Sequence, residues 1–469
     1  MRGKKCRKLI ACGMAVVVIS LVGCGSSSNT SSSSSITVAE SATTTSTTES
    51  TSEIVENESD ENTSPEDAIV LTVWASNELH KAMFDFGEQA YNKEHPNEPI
   101  DVRVEVYANA EMAEKLLIAL QSGTGAPDIA DININYFSNY CGEDTQLIPL
   151  DDIVKPVLDS AVQSRFDIYK FNDHYYGIPA HVGSMFTYYN MDIIERAGYT
   201  IDDVDQIETW DQYYDIGAGV LEKTGIPMTA YEVTNQRPFW PMIVSAGGDY
   251  LDADGNVTLD SQINIDILNY MLDKYNKGIA VQAAGGSTAV EEFWTAMNAG
   301  QYASLSMPSW YMSRFINYMP DLDGKIAVRL MPVMKEGDAH VVGIGGTGTA
   351  ITNQCQNIEI AKEFLTDAKL TYEANVNIWE SLMFDPVRTD TWTDDALTAP
   401  SSYFYNESPF TLLSNYVSGG GTIPSPNNKS LSAAAQDVVN NTVMYEVFVD
   451  GVDPKDSLQN AADELRGQQ

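Results

Sequence analysis

Ile69-Val70-Leu71-Thr72-Val73-Trp74-Ala75, followed by Leu79 to Glu94 and then Ile100 to Val106, is the stretch that decides the fold. The first run is apolar, rich in β-branched residues and bounded, which predicts a strand. Leu79 to Glu94 carries apolar residues at helical spacing until His95-Pro96 stops it. Ile100 to Val106 alternates as a second strand, Ala110 to Gln121 reads as a helix ended by Gly123, and Pro127-Asp128-Ile129-Ala130 opens a third strand. This βαβαβ order predicts an open α/β sheet, whose ligands sit beyond the carboxyl ends of its strands. Farther on, Met185 to Tyr189 reads as a strand and Ile193 to Ala197 as a short helix. Thr209-Trp210-Asp211-Gln212 is a capping box, with Thr209 as the cap and Gln212 at the third helical position. Residues 262–276 and 357–370 are further helices, and no fixed period suggests a solenoid.

Upstream of that body, residues 1–23 read as an export signal. Arg2, Lys4, Lys5, Arg7 and Lys8 form its basic end, and Leu9 to Val22 is an apolar run of signal length. Leu21-Val22-Gly23-Cys24 resembles the lipobox of bacterial lipoproteins, which implies lipidation of Cys24. Residues 24–68 then form a tether of Ser, Thr and acidic residues that buries too little apolar surface to offset its chain entropy. The expected location is the outer face of a bacterial cytoplasmic membrane, the chain being held there by its lipid.

The whole chain of 469 residues carries 27 Lys and Arg against 66 Asp and Glu, a formal charge of −39. Loss of residues 1–23 removes five of the basic residues and leaves −44. No basic surface remains to neutralise a phosphate backbone, so nucleic acid is excluded as a partner. His80, His95, His174, His181 and His340 are scattered without ligand spacing, and no metal is expected. Asp252-Ala253-Asp254-Gly255-Asn256 has the oxygen spacing of a calcium loop but lacks the later Glu, so it reads as a hairpin turn. Gly343-Ile344-Gly345-Gly346-Thr347-Gly348 fits a dinucleotide pattern by letter, yet it leads into a strand where a helix N-terminus is needed. No cofactor is expected. Beyond the leader and Cys24, Cys141 and Cys355 remain; one disulfide or two separate buried thiols are both open, the second being the simpler reading.

Several strings resemble, in order and spacing, the family 1 extracellular solute-binding proteins, of which maltose-binding protein is the best known. They are Leu71 to Ser76, Gly123 to Ile129, Leu147 to Asp151, Tyr176 to Pro179, Tyr188 to Asp192, Glu208 to Asp211 and Ala361 to Leu365. The resemblance spans about residues 69–469 and implies a type II periplasmic-binding-protein-like fold, α/β, with two discontinuous lobes and a hinge. On that reading residues 69–180 and 333–386 form the N-terminal lobe, and residues 181–332 and 387–469 the C-terminal lobe.

A sugar offers C–H faces and a rim of hydroxyls, so its site needs aromatic plates beside groups that both donate and accept. The resemblance places Ser76, Asn77 and Glu78 at the cleft, with Asn135 and its neighbour Tyr136. Asn135 stands where the family often has an acid, which gives up a charged contact and keeps amide hydrogen bonding. Arg237 and Trp240 fall in a ligand-proximal aromatic segment, Ser184 follows the first crossing, and Trp310 sits in the string that carries a stacking Trp. Trp310 follows the strand-like Ala303 to Met307, so it is expected to emerge from a strand end.

The leading expectation is a monomeric solute-binding lipoprotein of an ABC importer that holds a neutral carbohydrate, an oligosaccharide first, and performs no chemistry. Its partners are then the permease subunits and a separate ATPase, because no Gly-Lys-Ser/Thr loop is present. A secreted glycosidase and a receptor for a non-sugar solute stand as alternatives, since carboxylates and aromatics build those sites too.

Overall fold

The computed structural model describes residues 68–142 and 144–469; the basic leader, Cys24 and the Ser/Thr tether lie outside the described residues. The opening run forms β1 (Ile69–Ala75). A single 3₁₀ turn over Glu78–His80 leads into α1 (Lys81–Glu94), so the helix starts two residues later than the periodicity suggests. The Asn77 side chain accepts the Leu79 N–H and holds that turn. β2 (Ile100–Val106) lies parallel to β1, with Val73 opposite Val104. α2 (Asn109–Ser122) ends on Gly123 at φ 72°, a left-handed turn that Gly adopts without a Cβ penalty.

β3 (Ile129–Asn133) begins after Asp128 rather than at Pro127, because the Asp128 carboxylate accepts both the Thr72 amide (2.8 Å) and hydroxyl (2.7 Å). The chain continues through β4 (Ile178–Pro179) to β5 (Met185–Asn190), all six residues of which are buried. A strand covered on both faces needs no alternation, and this run carries only Thr187 and Asn190 among apolar and aromatic residues. α3 (Trp210–Thr224) has the capping box seen in its sequence, with Thr209 accepting the Gln212 amide and Gln212 reaching back to the Thr209 amide. α4 (Gln262–Asn276) covers the expected residues. β6 (Ser304–Pro308), α5 (Met312–Tyr318), β7 (Ile326–Leu330) and β8 (Thr347–Ile351) follow, then α6 (Ile358–Lys369) and α7 (Tyr372–Leu382).

These strands make two sheets. The first has the order β2-β1-β3-β8-β4, parallel across β2, β1 and β3, with β8 antiparallel to both of its neighbours. The second is antiparallel, with β5 between β6 and β7. The glycine-rich string therefore runs into a strand, as its sequence implied, and β8 turns the expected open sheet into a mixed one. α1 packs against α6 and α7 beside the first sheet. Asp252 to Asn256 forms a hairpin turn, closed by the Asp252 amide on the Asn256 carbonyl (2.9 Å) between bridged Leu251 and Val257.

Two buried charges tie the segments that run between the sheets. Asp385, 1% exposed, accepts the amides of Gly183 (2.9 Å) and Ser184 (2.7 Å) and the hydroxyl of Ser309. Arg165, fully buried, donates to the carbonyls of Gly343 (2.7 Å) and Gly345. Buried charges held this way cost little only while every bond is kept, so the crossings are pinned at their backbone. Cys141 and Cys355 are separate thiols, and burial pushes both up to about 12.

Candidate functional site

The loops that leave β1 and β3 at their carboxyl ends open onto a cavity of about 350 Å³ between the two sheets. From the first sheet come Ser76, Asn77 and His80 after β1, and Asn133, Ile134 and Asn135 at the end of β3. Asn109 at the start of α2 and the turn Gly345-Gly346-Thr347 before β8 complete that wall. The opposite wall is built by Asn235, Gln236, Arg237 and Trp240, by Pro308, Trp310 and Tyr311 after β6, and by Arg314 on α5. Among the described residues, no Asp or Glu lines this space, although the chain holds 66 of them. Six side-chain amides do, each able to donate and accept at once.

Of the residues singled out by sequence, Ser76, Asn77, Asn135, Arg237, Trp240 and Trp310 line the cavity together. Glu78 is exposed in the 3₁₀ turn and faces elsewhere, because Asn77 takes the capping position. Tyr136 is absent from the wall and packs with Trp74 and Phe137 in a separate apolar cluster. Ser184 is fully buried, with its amide spent on Asp385, and does not reach the cavity.

Trp310 sits in the 3₁₀ turn Ser309–Tyr311 directly after β6, partly exposed, with the Arg314 guanidinium 5.4 Å from its ring centre. It is the cavity's open aromatic plate. Trp240 also lines the wall, but it is 3% exposed, stacks on Tyr250 at 5.3 Å and donates its indole N–H to Asp249 (2.8 Å). One of its faces and its polar atom are therefore committed before a ligand arrives. Arg237 is neutralised: its Nη1 donates to both oxygens of Glu232, at 2.8 and 2.9 Å. Glu232 is 1% exposed and also accepts from the Thr288 amide (2.6 Å) and the Ser287 hydroxyl (2.8 Å).

Beneath the first wall, His80 Nδ1 lies 2.6 Å from Asp131, which is fully buried and also takes the hydroxyls of Thr347 and Thr349 and the ammonium of Lys369 (3.2 Å). Burial by itself would raise the Asp131 carboxyl, but Lys369 and His80 outweigh it and hold the group far below the usual carboxylate range. A carboxylate on one ring nitrogen fixes the orientation of His80 and leaves the other free for the cavity. His181, also on the wall, is held well below its ordinary value, first by burial and then by Arg165, so it faces the cavity neutral.

The sequence reading missed His80, Asn109, Asn133, Asn235, Gln236 and Arg314. Most of them adjoin residues already singled out: His80 follows Glu78 by two, Asn133 precedes Asn135 by two, Asn235 and Gln236 adjoin Arg237, and Arg314 lies one helical turn beyond Trp310. Asn109 alone comes from a separate element, at the start of α2.

The family described as bacterial extracellular solute-binding protein matches residues 77–366. The chain belongs to that family. Among curated relatives, an arabinooligosaccharide-binding protein of Halalkalibacterium halodurans is 41% identical over 351 residues, 74% of this chain and 78% of its own. A protein of the same name from Bacillus subtilis is 37% identical over 399 residues, 84% and 92% of the two chains. The GacH receptor of Streptomyces glaucescens, solved unliganded and with acarbose, superposes with a TM-score of 0.69 at 18% identity, over 85% of this chain and 98% of its own. The expected two-lobed α/β fold is thus the fold of this binding protein.

Proposed function

We propose that this binding protein captures arabinose oligosaccharides in the cavity between its sheets and delivers them, unaltered, to the permease subunits of an ABC importer. The observation that carries the reading is the composition of the cavity wall: among the described residues, one open Trp, six amides and no carboxylate. A sugar ring can stack on Trp310 while its hydroxyls exchange hydrogen bonds with Asn77, Asn109, Asn133, Asn135, Asn235 and Gln236. Two-carboxylate glycoside hydrolysis would require a facing pair of acids that this wall does not supply, which favours capture over cleavage. The pentose class comes from the two relatives, each named for arabinooligosaccharides. Closure would be a hinge motion about the crossings pinned by Asp385 and Arg165, and a closed form would be the one the permease engages. Lipidation at Cys24 and a monomeric body held at the outer face of the membrane complete the proposal.

Thermal shift of the mature chain against arabinose, arabinotriose, maltotriose and a galactobiose tests it. Arabinotriose is expected to give the largest rise in Tm, and to be recovered uncleaved by chromatography. A rise with none of the sugars, or the appearance of shorter products, would overturn the reading.

A further inference from the structure

Among the described residues, the buried cations around the cavity are each met by a carboxylate or by carbonyl oxygens. Arg237 is met by Glu232 at 2.8 Å and Lys369 by Asp131 at 3.2 Å, while Arg165 rests on two carbonyls with Asp385 acting on it as a negative charge. Arg314 is different. It lines the cavity from α5, half-buried, and among the described residues no carboxylate lies within ion-pair distance of it. The hydrogen bond it makes there runs from Nη1 to the Ser313 hydroxyl at 2.7 Å. Burial disfavours its charge, Tyr318 and Tyr311 favour it and the nearby Arg237 opposes it, yet a guanidinium does not shed its proton near neutral pH. A cation is thus held half-buried in the wall without a carboxylate partner among the described residues, inside a chain of net −39.

We propose that Arg314, with Arg237 beside it, is a subsite for a carboxylate carried by the oligosaccharide, so that a chain bearing one uronic acid is preferred over its neutral counterpart. This rests on the reading of the cavity as a sugar site. A guanidinium fork matches a carboxylate in two parallel bonds, and such charge-assisted bonds are about twice as strong as neutral ones. Arg237 spends Nη1 on Glu232, and among the described residues its Nη2 and Nε have no protein acceptor. Because Glu232 cancels one of the two arginines, the subsite carries one net positive charge, which suits a single carboxylate better than a dianionic phosphate. Among the described residues, no acid on the wall repels the incoming anion. Trp310, under the Arg314 guanidinium, would stack the ring that carries the carboxylate.

Three matched probes test this by titration calorimetry: arabinotriose, the same trisaccharide with a terminal primary alcohol oxidised to a carboxylate, and the corresponding carboxamide. The acid is expected to bind about tenfold more tightly than the amide, with a preference that shrinks as sodium chloride is raised. In Arg314→Gln the acid-to-amide ratio should fall to about one, and Arg314→Lys, which keeps the charge but not the fork, should retain part of it. Circular dichroism melts of both variants verify that they fold. Equal affinity for acid and amide overturns the subsite, as does a preference that survives Arg314→Gln. Binding of none of the three would instead mean that the sugar-receptor reading fails, and the subsite with it.

Discussion

Replacing Trp310 by Ala separates the two roles its place in the cavity allows. A ligand at 100 times its Kd adds ~2.7 kcal/mol to stability. For a folded body spanning residues 68–469, an unfolding entropy of ~2.1 cal/mol/K per residue converts that into a rise of about 3 °C in Tm. Loss of a central aromatic contact commonly costs more than 2 kcal/mol, and a loss of ~2.7 kcal/mol weakens Kd by ~100-fold. The same sugar concentration then merely equals Kd, so the increment drops to ~0.4 kcal/mol, about 0.5 °C. Trp310 also packs against the apolar cluster of Met83, Ala180, Ile378, Leu382 and Phe384. Being partly exposed, it should cost the unliganded protein about 1–2 kcal/mol, below the ~3–5 of a fully buried Trp. The assay is differential scanning fluorimetry of both proteins with and without arabinotriose. An unliganded Tm that falls by more than about 4 °C, with the sugar increment intact, would mark Trp310 as core and refute the reasoning.

Asp131→Ala strands Lys369 in the core without its partner and should cost about 3–5 kcal/mol in urea unfolding, far more than a surface Asp→Ala control. Asp249 titrates in the opposite sense to Asp131: burial raises it to about 6, despite bonds from Trp240 and Asn427. Its folded value lies above its unfolded one, so its contribution is full below about pH 4 and is lost as pH rises through about 6, a change of about 3 kcal/mol. Asp249→Asn should therefore flatten the pH dependence of Tm between those limits, as followed by scanning calorimetry. Glu232→Gln removes the charge that holds Arg237 and should lower stability by about 2 kcal/mol while weakening arabinotriose binding; unchanged values in both would show that the pair is idle. In a mature chain with Cys24 replaced by Ala, dithiothreitol should leave Tm unmoved, since Cys141 and Cys355 are separate thiols.

Local chemistry was legible wherever it was self-contained. The Thr209 to Gln212 box and the stop at Gly123 each act within a few residues, and helix 262–276 carries its own apolar face, so each could be read from the sequence alone. Trp310 was legible because Pro308 ends a strand just before it. What sequence could not show was how side chains spend their polar atoms. Trp240 looked like a plate, yet Tyr250 and Asp249 hold it; Ser184 looked poised at the cleft, yet Asp385 pins its backbone from 201 residues away. Glu78 was displaced by its neighbour Asn77, whose capping bond turns the chain. The missed amides come from α2, the end of β3 and the segment before Trp240, and only the closure of two sheets brings them together. Likewise β8 joins the first sheet after more than 200 residues, a pairing that no window of periodicity reveals.

The most direct test of capture without chemistry is calorimetric titration of arabinotriose into the mature chain. A series of brief heats that return to baseline and saturate at one sugar per protein is the predicted result. A sustained heat after each injection, as turnover produces, or no heat at all, would contradict it.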